Sequence, residues 1–307
     1  MSNMNNQFQL LPSHHIDKRR WDACVEAADN GLIYTDSRFL DTMADNWSGI
    51  IFNDYTAIMP LPWKKKWGIR YAYVPPFMQQ LGVTGIIPEQ ATHELIKLVN
   101  DFFLYGDLHL NFSNQYIANS FPFSRKRNNC IVQLHSSFET LLTSFSGDAE
   151  RNLQKASRQS LHWQEGREEE AIDLFRNLIQ YPGAPNEKTM DRFKTLFQQF
   201  SCTQQAFARC ICNDDNKILA AMVGLKDGRR IYNLLNITTA EGRKKSANYF
   251  LFENLLKEWS ASQLLFDLEG SELPGVESFY RHWGGIWENY YHVHLNRLPL
   301  PIRWLKS

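Results

Sequence analysis

Residues 230–285 read RIYNLLNITTAEGRKKSANYFLFENLLKEWSASQLLFDLEGSELPGVESFYRHWGG. The apolar, β-branched run over 231–237 has the length of a buried strand. A polar, basic loop follows over 238–245. From about Ser246 the spacing predicts a helix, because Phe252, Leu255, Leu256 and Trp259 recur at i, i+3, i+4 and i+7. A second strand is expected over 264–269, ending in Gly270-Ser271, with a second helix from Pro274. Strand, crossover helix, strand implies two parallel neighbours joined in the right-handed sense. Ligands of such open sheets collect beyond the carboxyl ends of the strands. Those ends carry Asn236 and Thr238 on one strand, and Asp267, Glu269 and Ser271 on the other.

Composition bounds the class. A chain of 307 residues, 43% hydrophobic and 13% aromatic, can bury a large core and suits two domains. Formal net charge is +0, so the whole molecule is no electrostatic sponge for nucleic acid, although a local basic groove stays open. The opening MSNMNNQFQLLPSHH lacks the charged start and apolar core of a signal peptide. No apolar run approaches the roughly 20 residues that span a bilayer. Five cysteines in a chain this long do not read as a disulfide framework. The expectation is a soluble protein of the reducing cytoplasm.

Working outward, the pattern predicts a hairpin over 49–61 with its turn at Asn53-Asp54, and a strand over 68–74. A helix over 88–103 and a strand over 107–112 follow. The turn-rich, basic stretch 120–129 places a domain crossing, dividing the chain into 1–125 and 126–307. Beyond it come a strand over 130–134 and helices over 137–145, 148–158, 168–180 and 187–200. Three antiparallel strands over 206–213, 217–225 and 230–237 lead into the stretch quoted above. A strand over 287–295 then closes the second half. Both halves read as a meander, a helix and a strand, so the chain is α+β, with a duplication carried by element order alone.

Several side chains carry candidate chemistry. Asp267 and Glu269, two apart on a strand, share a face, with Cα atoms roughly 6.5–7 Å apart. A carboxylate at a buried strand end can take the proton of an attacking amine. The plainer reading is that this pair caps the next helix or binds Arg281. Tyr280, one helix later, has a phenol able to protonate a departing thiolate or hydroxyl, or else packs in the core with its hydroxyl satisfied. Arg243, Lys244 and Lys245 precede a helix amino terminus, an anion site by charge and by free N–H groups, or a solvated loop. Asn233 and Asn236 interrupt an apolar strand and point to opposite faces. Asn236, nearer the strand end, is assigned to the cleft. In the first half, Tyr71, Tyr73, Phe77, Gln79 and Gln80 surround two prolines, a loop suited to gripping a planar or peptidic acceptor or to packing between domains. His292 and His294 share a strand face, as do Cys210 and Cys212. Neither pair brings the further ligands of a tetrahedral zinc, so no metal is expected. No G-x-S-x-G elbow and no P-loop occur.

The second half resembles a GNAT acyltransferase domain, and two such halves in tandem resemble the Fem-type aminoacyltransferases and their acetyltransferase-like relatives. Residues 145–163, FSGDAERNLQKASRQSLHW, are similar to the family's basic helical segment R-x-I-x-K-A. SANYFLFENLLKEW (246–259) is similar to G-A-N-x-L-L-x-W-x-A-I. FDLEGSELPGVESFYRHWGG (266–285) resembles a strand ending D-F-x-G-S and then F-Y-R-x-F-G-G. YAYVPPFMQQLG (71–82) is like the family's Y-x-P-x-G-P loop at the substrate channel.

The resemblance implies transfer of an acyl or aminoacyl group from a CoA-type donor to a small-molecule or peptidic amine. The donor and catalytic site would lie in the second half, and the acceptor channel between the halves. Glu269, helped by Asp267, would be the base and Tyr280 the acid. Backbone amides near Asn236 and Thr238 would polarise the donor carbonyl. Arg243, Lys244, Lys245, Ser246 and Asn248 would hold the donor, while Tyr71, Tyr73, Phe77, Gln79, Gln80, Ser271 and Arg281 would meet the acceptor. Two departures stand out. The family's R/Q-x-x-G-x-G/A, whose glycines let backbone amides approach a pyrophosphate, reads here Arg243-Lys-Lys-Ser246-Ala-Asn248. The lysine of the tRNA-dependent pattern F-K-x-G-F-G is replaced by Tyr280. They keep two other readings in view: a non-catalytic ligand-binding module, and a tRNA-dependent enzyme, the latter not favoured.

Overall fold

The structure, a computed structural model, describes residues 8–179, 184–269 and 275–300. The chain forms two compact units, Met1–Arg127 with Asn289–Ser307, and Asn128–Glu288.

The first unit holds strands β1 (Phe8–Pro12), β2 (Trp47–Phe52), β3 (Ala57–Lys66), β4 (Ile69–Ala72), β5 (Thr84–Gly85) and β6 (Tyr105–Leu110). Its helices are α1 (Lys18–Ala27), α2 (Ser37–Met43), α3 (Thr92–Phe102) and α4 (Gln115–Asn119). The turn expected at Asn53-Asp54 joins β2 to β3, with Asn53, Asp54 and Tyr55 all at positive φ. Strands β1 to β4 form an antiparallel meander, β5 pairs with β3, and β6 lies parallel to β4. Helix α3 buries Leu95 and Val99 in a core with Met59, Leu61, Leu108 and Leu110.

The second unit opens with β7 (Ser124–Gln133), α5 (Phe138–Leu142), α6 (Gly147–Ala156), β8 (His162–Glu165), α7 (Glu168–Leu178) and α8 (Glu187–Ser201). Strands β9 (Ala206–Cys212), β10 (Ile218–Lys226) and β11 (Arg230–Thr238) follow. Then come α9 (Ala240–Lys244), α10 (Ala247–Trp259), β12 (Leu265–Asp267) and α11 (Val276–Arg281). Strands β8 to β11 form an antiparallel meander, β12 lies parallel to β11, and β7 is antiparallel to β12. Of the four positions expected on the inner face of α10, Phe252, Leu255 and Leu256 are fully buried, with Leu251 beside them, in a core with Ile231, Met222 and Phe266, each contributing about 1.5–3 kcal/mol by leaving water. The fourth, Trp259, is half-buried against the same core. Trp283 stacks on Phe252 with ring centroids 5.4 Å apart.

The last strand, β13 (Ile286–Asn296), differs from its expected place at the close of the second half. Its register runs from Tyr291↔Leu110 to Asn296↔Tyr105, antiparallel to β6 of the first unit. Each unit thus has the same order: a four-strand antiparallel meander, a fifth strand parallel to the fourth, and a sixth antiparallel to the fifth. In the first unit that sixth strand is the C-terminal β13, and in the second it is β7. The fold is α+β, with mixed sheets flanked by helices, as expected.

Candidate active site

The site is built where β11 outlasts its parallel neighbour. Pairing covers only Arg230↔Leu265, Ile231↔Phe266 and Tyr232↔Asp267. Strand β11 continues to Thr238, held on its other side by β10 from Val223↔Leu235 to Ala220↔Thr238. Strand β12 ends because Asp267 turns the chain: its carboxylate accepts the backbone N–H of Glu269 at 3.2 Å, the local competition by which Asp residues end regular structure. Glu269 then adopts φ +50°. Leu268 is still tied to Cys130 O at 3.0 Å. The gap so opened is bridged by Asn233, whose Nδ2 donates to Leu268 O at 3.2 Å and to Tyr280 Oη at 3.0 Å. Its Oδ1 is buried and makes no hydrogen bond among the described residues.

Three residues further along β11, about 10 Å at normal strand rise, a groove of about 380 Å³ begins. Asn236, Thr238, Arg243, Ser246 and Asn248 line it together with Ile179, Tyr249 and Phe279. Five of the seven expected donor-holding residues therefore share one groove. The other two do not line it: Lys245 pairs with Glu241 at 2.8 Å, and Lys244 is exposed. The expected basic loop is largely helical. Thr239 caps α9, accepting the N–H of Gly242 at 2.9 Å, and Gly242 packs so closely that a Cβ would lie 2.1 Å from Leu219 O. Ser246 sits at φ +56° before α10, donating its hydroxyl to Asn152 Oδ1 at 2.9 Å. Asn236 Nδ2 reaches Asn248 Oδ1 at 3.2 Å.

This geometry tests the fit of a CoA pyrophosphate. The N–H groups of Gly242, Arg243, Lys245 and Ser246 are spent on Thr239 Oγ1, Thr239 O, Glu241 O and Arg243 O. Those four donors are withdrawn from a pyrophosphate cradle, leaving the first-turn N–H groups of α10, which begins at Ala247. For an anion the segment also offers side chains: Lys244, and Arg243, one of whose N–H groups already serves Thr238 O at 2.8 Å.

The two acids expected on one strand face part company. Asp267 is fully buried, with Arg230 Nη1 at 3.2 Å and Asn129 Nδ2 at 2.9 Å. Arg230 in turn grips Glu288 with two bonds of 2.7 and 2.8 Å. Burial pushes the Asp267 carboxyl up to about 6, opposed by the Arg230 charge. Asp267 is thereby committed to the interior by its partners, and the strand stops before Glu269 can share its face. Glu269 is half-buried beyond the turn. Tyr280 is buried, and its phenol is held well above the ordinary tyrosine value by burial and by the nearby charge of Glu269. Arg281 pairs with Glu277 at 2.6 Å and lies over the Trp287 ring, rather than with either acid. Ser271 falls outside the described residues.

No family model matches the sequence, and no curated protein matches it. Solved structures do. The crystal structure of FemX matches 97% of this chain and 99% of its own length, at a TM-score of 0.68 and 12% identity. The chain has the fold of FemX. A conserved protein of unknown function from Bacteroides thetaiotaomicron is also similar, at TM-score 0.62 and 12% identity over 95% of this chain and all of that one. So is the C-terminal domain of a putative lysylphosphatidylglycerol synthetase from Agrobacterium fabrum, at 0.55 and 11% over 91% of each. At such identities the likeness to FemX is one of fold. The Fem-type resemblance of the sequence is a resemblance of architecture that the chain adopts.

Within this FemX-like chain the first-unit residues are mostly tied down. Tyr73 lies just past β4, its hydroxyl accepting the Asp45 N–H at 2.6 Å. Gln80 is fully buried; its Oε1 accepts the Phe112 N–H at 3.0 Å and its Nε2 donates to Gln79 Oε1 at 3.2 Å. Gln79 O accepts from His109 Nδ1 at 2.8 Å. Phe77 takes φ +62° in the loop, and Tyr71 is half-buried on β4. Gln80 and Tyr73 thus hold the loop's shape. Sequence reasoning missed Arg230, Glu288 and Asn129, and gave Asn233 no task. A pair of arginines, Arg229 and Arg230, opening an apolar run after Asp227-Gly228 was the one available signal. His292 and His294 both donate to Asp107, at 3.1 and 2.8 Å. Among the described residues, no group of three or more His, Cys, Asp or Glu is arranged to hold a metal ion, and no helix is long and apolar enough to cross a membrane.

Proposed function

We propose that the second unit transfers an acyl or aminoacyl group to an amine in the notch beside β11. One observation carries this: among the described residues β11 runs on from Asn233 to Thr238 with one edge unpaired by β12, and a groove lined by polar and aromatic side chains opens at its end. An open strand edge offers N–H groups to a donor carbonyl, the place where charge develops in acyl transfer. The amine nitrogen attacks that carbonyl carbon, forming the new N–C bond. Glu269 takes the amine proton. The bond to the leaving group breaks, and Tyr280 gives that group a proton and regains one through Glu269, so the net movement is one proton from amine to leaving group. A phenol held above its ordinary value stays protonated at neutral pH, so its hydrogen is in place when the leaving group departs. Its oxygen accepts from Asn233, so its own hydrogen can serve the leaving group. Asp267 supports this chemistry as the anchor of the Glu269 turn, not as a second base.

The donor is an activated acyl or aminoacyl compound of the CoA type, its acyl end in the notch and its charged end toward the groove lined by Arg243 and Asn248. A thermal-shift screen with acetyl-CoA, longer acyl-CoAs and aminoacyl-tRNA would identify it, since a ligand at 100 times its dissociation constant stabilises by about 2.7 kcal/mol. With that donor, Glu269→Gln should keep donor binding and lose about 10²–10⁴-fold in transfer rate. Full transfer by Glu269→Gln would remove the proposed base. A flat response to every donor, with no transfer to any amine, would leave a binding module.

A further inference from the structure

In the first unit, β3 ends Lys64-Lys65-Lys66 and turns through Trp67-Gly68 into β4, with Lys66↔Ile69, Lys65↔Arg70 and Lys64↔Tyr71 opposed. The two turn residues have φ of +51° and +81°, the signs of a type I′ hairpin turn. Such a turn calls for Asn or Gly at its first position, because a bulky side chain there crowds its own backbone. Tryptophan occupies it instead. Its ring is 84% exposed, so the fold gains nothing from burying it. Local backbone preference and core packing both fail to account for this residue.

Its surroundings do account for it. Lys66 Nζ lies 4.8 Å from the Trp67 ring. Lys64 pairs with Asp45 at 3.0 Å. Lys65, Lys66 and Arg70 make no ion pair among the described residues, although the whole chain has formal net charge +0. Three cations outside any such ion pair therefore stand on the two strands behind one exposed indole, Arg70 with its guanidinium 4.3 Å over the Phe102 ring. A ring with a polar edge seats at the boundary between headgroups and acyl chains. Cations behind it meet the negative surface potential of anionic lipid. Single-stranded nucleic acid is a poorer fit, because it is tracked along a charged groove with successive stacking rings, whereas here one ring stands at the apex of a two-residue turn.

We infer that the β3–β4 hairpin tip docks the protein on an anionic phospholipid surface, with Trp67 seated at the interface and Lys65, Lys66 and Arg70 against the headgroups. This goes beyond the proposed transfer reaction and does not depend on it.

The test is co-sedimentation of the full chain with vesicles of phosphatidylcholine alone, and of phosphatidylcholine mixed with phosphatidylglycerol. Binding is expected only to the mixed vesicles, and about 1 M salt, where the Debye length is about 3 Å, should release it. Each cation near such a surface contributes a factor of about five in partitioning, so Lys65→Ser with Lys66→Ser should weaken binding roughly 25-fold. Trp67→Asn should weaken it about tenfold. Because Asn-Gly suits this turn better than Trp-Gly, Trp67→Asn should unfold at the same temperature as the parent or higher, which separates lost docking from lost folding. Failure of the parent to bind mixed vesicles overturns the inference, as does equal binding by the variants. Trp67-dependent retention of a single-stranded RNA oligonucleotide without vesicle binding overturns it in favour of nucleic acid.

Discussion

The guanidinium of Arg230 stands 3.2 Å from the carboxylate of Asp267, and both side chains are shut away from solvent. Arg230 opens β11 and Asp267 closes β12, so the contact runs from the first paired rung to the last, after which the strands part. Asp267 also accepts the Glu269 N–H, which makes this buried pair the anchor of the turn that carries the proposed base.

Replacing Arg230 with methionine would leave Asp267 buried, and Glu288 half-buried, without their cation. Arg230→Met should cost about 3–5 kcal/mol of unfolding free energy at neutral pH, read by urea denaturation. The deficit should shrink toward pH 5. The folded-state value for Asp267, about 6, lies above the ordinary 3.8. The folded protein therefore holds this proton more tightly, and the contribution of Asp267 to stability falls as pH rises from about 4 through about 6. Equal deficits at pH 5 and pH 7 would contradict this account.

Tyr280→Phe removes one oxygen from a buried ring. Asn233 Nδ2 keeps its bond to Leu268 O, so the stability loss should be about 1 kcal/mol. Transfer should fall about 10²-fold if the phenol protonates the leaving group. Unchanged transfer with the same stability loss would reduce Tyr280 to a core residue.

Gly242 has no room for a methyl group. In Gly242→Ala the new carbon would lie 2.1 Å from the carbonyl oxygen of Leu219 on β10, and backbone cannot step aside as a flexible side chain can. A loss of about 1–3 kcal/mol is expected, together with weaker donor binding as α9 lifts. A melting temperature equal to that of the parent would show that α9 does not press on β10 as described.

His109 makes the first unit acid-sensitive. Burial brings its imidazole down to about 4, against its bond to Gln79 O, with further small influences from His292, Arg127 and Asp107. Because the folded value lies below the ordinary 6.5, the unfolded chain binds more protons between about pH 4 and 6.5. Stability present above that window is therefore lost as pH falls through it. Asp107 is held down at about 2 by His292 and His294 and stays charged throughout. His109→Gln should show a flatter melting temperature between pH 6.5 and 4 than the parent. Parallel curves would assign the acid sensitivity elsewhere.

Much of this was legible in the residues. The apolar face of α10, the Asn53-Asp54 turn, and the order of meander, crossover helix and parallel strand follow from local spacing, while the grouping of Asn236, Thr238, Arg243, Ser246 and Asn248 is what the family resemblance implies. Periodicity and turn chemistry are properties of neighbours along the chain, so sequence alone determines them. Other features belong to the tertiary structure. Asp267 and Glu269 were read as sharing a face because the strand was taken to reach 269; it stops at 267, where the Asp267 side chain captures the Glu269 N–H. Arg230 reads as the mere start of a strand until Asp267 and Glu288 stand beside it. Strand β13 was assigned to the second half, yet it pairs with β6. A strand's pattern states which side chains face inward but not which backbone receives its hydrogen bonds, and a buried charge is tolerable only where distant partners converge on it. Those choices are made in three dimensions, when desolvation must be balanced by contacts that no local window contains.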